Sequence, residues 1–248
     1  MTLLETTALW RRFGGLEAVK DVDFRLAGGE IRAIIGPNGA GKTTLVSVIS
    51  GRIRATLGRI VFKGRDITRL SASARVMRGI VYTFQVTSIF GKLSCYENVA
   101  LAAQRRLMGG LGARLALSER RIAKRVEAAL LQVGLAESIE RQADTLPYGH
   151  QRLLEVAMAL ALEPELLILD EPTQGLAQDE ISAFCELIRT IAEDATVLLI
   201  EHNMSVVLEL ADRITLLDRG AVIAEGTPAE IENDDAVQRA YLGSHADA

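Results

Sequence analysis

A glycine-rich segment between an apolar run and a helical pattern constrains the fold of this chain more than any other feature. Its residues are Gly36, Pro37, Asn38, Gly39, Ala40, Gly41, Lys42 and Thr43. Two glycines separated by four residues and followed by lysine and threonine match the pattern of a phosphate-binding loop. Residues 30–35 predict a strand before the loop, and residues 42–50 predict a helix after it. A strand that leads through such a loop into a helix indicates an α/β fold.

The residue types of this loop explain what it can bind. Glycines allow backbone N–H groups to converge on phosphate oxygens, and the start of the following helix adds partial positive charge. Lys42 can reach the β- and γ-phosphates, and the hydroxyl of Thr43 can bind Mg²⁺. A tight glycine-rich turn without a ligand is the alternative, which the strand before it and the helix after it disfavour. We therefore predict that the chain binds ATP and Mg²⁺ and hydrolyses the nucleotide.

A second motif supplies the acids that hydrolysis needs. The apolar residues 166–169 are followed by Asp170 and Glu171. Carboxylates at the end of a strand lie where open α/β sheets bind ligands. Asp170 can hold Mg²⁺, directly or through water, and Glu171 can orient or deprotonate the attacking water. Such a pattern alone could be a strand that ends in solvent, but together with the phosphate loop it indicates a catalytic pair.

The order of patterns along the chain predicts its organisation. Short strands and turns dominate the first third, including an alternating run at 17–24 and a strand at 58–63. Helical spacing dominates the middle, at 96–107, 119–133 and 151–162, with a connection at 109–112. The last third alternates strands at 166–169, 196–200, 213–217 and 221–225 with helices at 180–192 and 205–211, which is typical of a mostly parallel sheet.

These patterns predict an α/β fold: a P-loop NTPase core with a mostly parallel sheet, an N-terminal antiparallel β region and an inserted α-helical subdomain. The ATP-binding core would comprise residues 1–85 and 150–248, and the insert residues 86–149. A short helical tail would occupy residues 228–248.

Charge, cysteine content and hydropathy indicate which partners and which cellular compartment to expect. The formal net charge of −4 argues against nucleic acid as the main partner. Cys95 and Cys185 are far apart and lack metal-ligand spacing, so we expect two reduced thiols in a reducing compartment. No apolar run is long enough to cross a bilayer, and the N-terminus lacks a signal-peptide pattern. We therefore expect a cytoplasmic protein that would need other chains to serve a membrane process.

With both motifs on one chain, the sequence resembles the ATP-binding subunits of ABC transporters over nearly its whole length. The resemblance implies that Gln85 senses Mg²⁺ and water, that His202 senses the γ-phosphate and that Phe13 stacks on adenine. It further implies nucleotide contacts from Val19 and Thr44, and from Tyr148, Gly149 and His150 of the signature motif at 146–151. Taken singly, Gln85 could be a solvated turn residue, His202 a strand-end histidine and Phe13 part of the core; their joint order favours the functional roles.

Within that family the chain is most similar to the branched-chain amino-acid uptake group, on residues 12–16, 148–149, 200–204, 224–228 and 236–243. The resemblance implies an importer ATPase, a homodimer or a heterodimer with a related ATPase. It implies transmembrane permease subunits that contact residues 86–96, and indirectly a solute-binding protein. The subunit would be peripheral on the inner face of the cell membrane.

Two departures from the family pattern bear on activity. Pro147 stands where the signature motif usually carries a serine that bonds the partner-held γ-phosphate, and proline offers neither a hydroxyl nor an N–H group. Ala177 removes a carboxylate that often couples the two sites of a dimer. Both changes put the rate and the coupling of hydrolysis in question rather than ATP binding.

Two other functions fit the sequence less well. A soluble ABC-type ATPase that acts on ribosomes or DNA usually carries two ATP domains or a long coiled-coil insert, and this sequence shows neither. A GTPase switch requires Asp-x-x-Gly and Asn-Lys-x-Asp, which do not occur in it.

Overall fold

The computed structural model describes residues 1–83, 88–107, 119–234 and 237, and the strands among them form two sheets. The first sheet is antiparallel and contains β1 (Thr2–Phe13), β2 (Leu16–Ala27), β4 (Leu57–Phe62) and β5 (Arg65–Asp66). The second contains β3 (Ile31–Ile35), β6 (Ile80–Tyr82), β7 (Leu166–Asp170), β8 (Thr196–Ile200), β9 (Arg213–Asp218) and β10 (Ala221–Gly226), in the order β10-β9-β3-β8-β7-β6. Only the β9–β10 pair of this sheet is antiparallel. The predicted fold class is confirmed.

The described helices cover the parallel sheet and build a helical region between β6 and β7. They are α1 (Lys42–Ile49), α2 (Ala72–Val76), α3 (Cys95–Leu107), α4 (Glu119–Gln132), α5 (Tyr148–Leu160), α6 (Gln178–Ala192), α7 (Met204–Leu210) and α8 (Pro228–Glu232). Within the described residues, none of these helices is both long and apolar enough to span a bilayer. The connection predicted at 109–112 lies outside the described residues. The boundaries of the helical insert and of the C-terminal tail stay predictions.

The central strands are buried on both faces. Every residue of β3, β7 and β8 is buried, which explains why their sequences are mostly apolar rather than alternating, with Arg32, Asp170 and Thr196 as the polar exceptions. Along β7, Leu167 and Leu169 face a core shared with α3, α4, α5 and α6. Leu166 and Ile168 face the opposite core, which contains α1 and the antiparallel sheet. The helical region therefore shares its core with the sheet.

Two expectations about element length were wrong. The N-terminal strands are long and bend without ending: Ala8 and Asp21 adopt left-handed backbone conformations with φ of 45° and 48°, and the pairing register shifts beside Ala8. The helix predicted at 151–162 begins earlier, at Tyr148. Its N-cap is Pro147 in an extended conformation, so the proline precedes the helix rather than interrupting it.

The parallel pairing brings the functional segments together. Neighbouring strands β3, β8 and β7 run in the same direction. Their carboxyl ends lie at one edge of the sheet, where open α/β folds bind ligands. The phosphate loop after β3, Glu171 after β7 and His202 after β8 therefore meet at this edge.

Candidate functional site

Close packing around the phosphate loop requires glycine at its two ends. Gly36 has a φ of 147°, and a Cβ there would lie 2.1 Å from the Leu217 carbonyl oxygen. Gly41, the N-cap of α1, has a φ of 99°, and its Cβ would lie 2.2 Å from the Ala18 oxygen. No side chain caps α1, and its first turn contains no acidic residue. The first N–H groups of the helix are thus left for an anion.

Lys42 is held within the loop that it serves. Its side chain is buried, and Nζ donates hydrogen bonds to the carbonyl oxygens of Gly36 at 2.7 Å and Pro37 at 3.1 Å. Burial lowers the pKa of Lys42, while the negative charges of Glu171 and Asp170 oppose that shift. A phosphate oxygen would replace a backbone carbonyl as the acceptor and bring a full negative charge to this buried amine.

Asp170 ends β7 as a buried carboxylate with one oxygen free. The hydroxyl of Tyr82 donates to Oδ2 at 2.6 Å, whereas the buried Oδ1 has no hydrogen-bond partner among the described residues. Burial raises the pKa of Asp170, the Tyr82 hydroxyl opposes the shift, and Thr43 also favours the charged form. A buried oxygen without a partner next to a threonine hydroxyl fits a cation site built from oxygen ligands.

Glu171 turns away from the strand in a strained conformation. Its φ of 48° is unusual for a residue with a side chain, and such strain often occurs at functional sites. The backbone N–H of Glu171 donates to the Ile200 oxygen at 2.9 Å, which fixes it to β8. Nδ1 of the exposed His202 lies 3.8 Å from Glu171 Oε1. That separation suits an intervening water or substrate oxygen better than a direct hydrogen bond.

A cavity of about 530 Å³ lies over the phosphate loop. Nine of its lining residues belong to the predicted site: Phe13, Asn38, Gly39, Ala40, Gly41, Lys42, Thr43, Thr44 and Glu171. The other four, Leu16, Glu17, Ala18 and Arg219, were not predicted. Phe13 is 42% exposed, and the guanidinium of Arg11 lies 4.2 Å from its ring centroid. One face of the ring is therefore covered, and a base would stack on the other.

Val19 does not line this cavity. Its side chain is fully buried in the core beneath the antiparallel sheet, so Ala18 rather than Val19 faces the nucleotide cavity. The alternation of side chains along β2 explains the shift by one residue. Arg219 was not predicted to lie in the site. It reaches the cavity because the N–H of the next residue, Gly220, donates to the Ala40 oxygen at 2.9 Å.

The signature residues lie elsewhere on the chain. Tyr148, Gly149 and His150 form the first turn of α5, where Pro147 provides no side-chain cap. Gly149 and His150 line a second cavity of about 380 Å³, which shares no lining residue with the cavity over the phosphate loop. One chain thus holds the two predicted halves of a nucleotide site apart. Gln85 lies outside the described residues, and its predicted role stays a prediction.

Two groups that contribute to the site were not predicted to do so, the half-buried Tyr82 and the buried Glu201. Tyr82 fixes one oxygen of Asp170 from 88 positions away in the chain, and Glu201 bonds to the loop that follows Glu171. Neither spacing matches a pattern that could be recognised in the sequence.

Comparisons with known proteins agree with this geometry. The profile of a family described as ABC transporter matches residues 19–174. A second profile, described as branched-chain amino acid ATP-binding cassette transporter, matches residues 221–247. LivG of Salmonella typhimurium, called a high-affinity branched-chain amino acid transport ATP-binding protein, is 40% identical over 97% of this chain and 98% of its own length. BraF of Pseudomonas aeruginosa, described in the same words, is 38% identical over 97% and 98%.

Solved structures show the same fold. A nucleotide-free ATP-binding cassette from an ABC transporter superposes with a TM-score of 0.87 at 29% identity, covering 97% of this chain and 99% of that one. The ADP conformation of such a cassette gives a TM-score of 0.86 at 28% identity, with 98% and 99% covered. Because one profile spans more than half of the chain and relatives cover nearly all of it, the resemblance is confirmed: the chain belongs to the ABC transporter family of ATP-binding cassette ATPases.

Proposed function

We propose that this chain is the ATP-hydrolysing subunit of an importer for branched-chain amino acids or related small organic solutes. The observation that carries the proposal is the 40% identity with LivG over nearly the whole chain, since LivG is named for branched-chain amino acid transport. The match of residues 221–247 to a branched-chain amino acid transporter profile supports the same group.

Hydrolysis follows from the residues at the edge of the sheet. ATP lies over the phosphate loop, with the base against Phe13 and the phosphates against the N–H groups of the loop and Lys42. Glu171 accepts a proton from a water molecule whose oxygen attacks the γ-phosphorus, and the bond from that phosphorus to the bridging oxygen breaks. His202 holds a γ-phosphate oxygen in line. The contribution of the protein is mainly positioning and charge stabilisation.

The same edge suits Mg²⁺. The free Oδ1 of Asp170 and the hydroxyl of Thr43 would hold the ion, with Gln85 as a further predicted ligand. Oxygen ligands are the kind that Mg²⁺ prefers in proteins. When bound, the ion would neutralise charge on the phosphates.

A complete site needs a second ATPase chain. The signature residues of one subunit would cover the phosphate loop of the other, since a single chain holds them in separate cavities. The partner is a second copy or a related ATPase. Pro147 contributes no hydroxyl to this contact, which leaves the N–H of Gly149 and the start of α5 to meet the γ-phosphate.

A surface near the helical region is suited to a permease subunit. Phe90 is 56% exposed although it is a large apolar residue. Its loop is fixed by the buried Asn98, whose Oδ1 accepts from the Phe90 N–H at 2.8 Å and whose Nδ2 donates to the Phe90 and Ser94 oxygens at 3.1 and 2.9 Å. Residues 86–96, of which 86 and 87 lie outside the described residues, would pass motion to a permease at the inner face of the membrane, and through it to a solute-binding protein.

Replacing Glu171 with glutamine tests the hydrolytic role. ATP binding should persist, because the phosphate loop is unchanged, while hydrolysis should fall by about 10²–10⁴-fold, the usual contribution of a positioned general base. Titration of a fluorescent ATP analogue and steady-state phosphate release measure the two quantities. Glu137→Gln, a change at an exposed position, should leave both unchanged. An undiminished rate in Glu171→Gln would remove Glu171 from the role of base.

Transport itself tests the substrate class. The chain should be reconstituted with a permease and a solute-binding protein for branched-chain amino acids and supplied with radiolabelled leucine. Uptake that requires ATP and fails in Glu171→Gln is the expected result. ATP hydrolysis without uptake of any branched-chain amino acid would overturn the proposed substrate while leaving the ATPase intact.

A further inference from the structure

Glu201 is a buried carboxylate placed between the two catalytic loops. It follows β8 directly and is 1% exposed. Within the described residues, no lysine, arginine or histidine forms an ion pair with it. A carboxylate buried without a cation is costly unless several hydrogen bonds satisfy its oxygens. Hydrogen-bond donors must therefore supply the stabilisation that a cation would otherwise give to Glu201.

The donors come from two different loops, one for each oxygen. Oε1 accepts from the N–H and the hydroxyl of Thr173, at 3.0 and 2.5 Å. Oε2 accepts from the N–H groups of His202 and Asn203, at 3.2 and 3.3 Å. Thr173 lies two residues after Glu171, so one oxygen holds the loop of Glu171 and the other holds the loop of His202.

We propose that Glu201 is a positioning residue that sets the separation between Glu171 and His202. The inference rests on the proposed roles of those two residues in hydrolysis. Glu171 is also anchored to β8 through the Ile200 oxygen, whereas the exposed side chain of His202 depends on how its short loop is held. Glu201 fixes that loop on the loop of Glu171, and its own side chain is buried away from the cavity surface.

The four hydrogen bonds that join the two loops through Glu201 require an ionised carboxylate. All four of its contacts are donors, and an ionised carboxylate offers acceptors only. A glutamine of the same shape keeps one accepting oxygen but turns an NH₂ group toward the two N–H groups of the other loop. Donors would then face donors, and the hydrogen bonds from His202 and Asn203 would be lost with little change in side-chain volume.

Kinetics of Glu201→Gln in the full chain test this role. We expect kcat for ATP hydrolysis to fall by about 10–100-fold, because a displacement of about 1 Å of a catalytic group costs that much. The KM for ATP should change by less than about threefold, since the phosphate loop follows a different strand. A rise in KM with unchanged kcat would overturn the proposal.

A double variant separates a positioning role of Glu201 from a general structural effect. If Glu201 acts through His202, then Glu201→Gln should cost less than about threefold in kcat when introduced into His202→Ala, because residues that act as a unit are not additive. A loss in that background as large as in the wild type would overturn the proposal. Wild-type hydrolysis that depends on Glu171 supports the proposed function regardless of this result.

Thr173→Val provides a milder test if Glu201→Gln does not fold. It removes one hydroxyl donor and leaves three donors on the carboxylate. We expect kcat to fall by about 3–10-fold at constant KM, the effect of one hydrogen bond. The matched control is Ser182→Ala, which removes a hydroxyl that bonds within α6, to the Gln178 oxygen at 3.2 Å. Equal activity of Thr173→Val and wild type would contradict the proposal.

Discussion

At the scale of single residues, we expect Asp170 to lower the stability of the fold while it serves the catalytic site. Burial raises the pKa of its carboxyl group, so the folded state favours the protonated form more than the unfolded state does. Its contribution to the free energy of unfolding is full below the unfolded pKa and is lost as pH rises through the folded pKa. At neutral pH the charged carboxylate therefore destabilises the nucleotide-free protein.

We expect Asp170→Asn to raise the Tm of the nucleotide-free chain at pH 7 and to abolish Mg²⁺-dependent hydrolysis. Asparagine can still accept the bond from Tyr82 but carries no charge. Each kcal/mol gained raises Tm by about 2–4 °C in a chain of this size. The gain should shrink at acidic pH, as the wild-type carboxyl group takes up a proton. Scanning calorimetry at neutral and acidic pH and phosphate-release assays make the comparison.

Asp66→Asn serves as a control of opposite sign. Hydrogen bonds from the backbone and hydroxyl of Thr68 lower the pKa of Asp66 to about 2. Its contribution to stability is present above the unfolded pKa and lost as pH falls through the folded value. Because this carboxylate is exposed, the Tm of Asp66→Asn should fall slightly or not at all. A Tm for Asp170→Asn below that of the wild type at pH 7 would contradict the stability argument.

At the scale of elements, the helix that begins at the phosphate loop depends on an arginine outside it. Arg75 of α2 is buried, and its guanidinium donates to the last carbonyl groups of α1, those of Val48 at 2.8 Å and Ile49 at 2.6 Å. It also donates to the Thr68 and Leu70 oxygens before α2. Burial lowers the pKa of Arg75 to about 10, so it remains charged at neutral pH. This side chain closes the C-terminal end of α1.

We expect Arg75→Leu to destabilise the protein by about 2–4 kcal/mol, because several buried carbonyl groups lose their donor. The corresponding fall in Tm is about 5–15 °C, and ATP affinity should fall with it as α1 loosens. Arg25→Leu is the matched control: Arg25 is mostly exposed and pairs with Glu5 on the surface, so its loss should cost less than about 1 kcal/mol. Equal Tm values for the two variants would contradict the capping role.

The elements also show what the sequence could predict. The strands at 166–170 and 196–200 were recognisable because buried parallel strands are short apolar runs with sharp ends. The phosphate loop was recognisable because its residues are contiguous. The bonds from Tyr82 to Asp170, from Thr173 to Glu201 and from Arg75 to Val48 join residues 88, 28 and 27 positions apart. No local pattern encodes these contacts, since they arise only from how the strands and helices pack.

At the scale of the whole molecule, the residues predicted to bind nucleotide fall into two separate groups on the chain. Its phosphate loop and its signature residues line separate cavities. Two chains arranged head to tail would complete both sites, which is the symmetric and closed arrangement for such surfaces.

We therefore expect the ATPase rate per chain to rise with protein concentration and to approach zero on dilution. Phosphate release measured over a hundredfold range of concentration tests this expectation, with Glu171→Gln and ATP used to trap the dimer for light scattering. The matched measurement is ATP binding, which should persist at the low protein concentrations where the rate per chain approaches zero, because the phosphate loop belongs to one chain. A rate per chain that stays constant while light scattering reports monomers would contradict the dimeric site.

The pairing of β3 also has a consequence for how the protein is made on the ribosome. The strand that leads into the phosphate loop lies near the start of the chain, yet both of its neighbours, β8 and β9, come from the last quarter. At about 5–20 residues per second of synthesis, the nascent loop waits roughly ten seconds or more for the strands that fix its geometry. ATP can therefore act as a ligand of folding only late in translation, after β8 and β9 have emerged and enclosed β3.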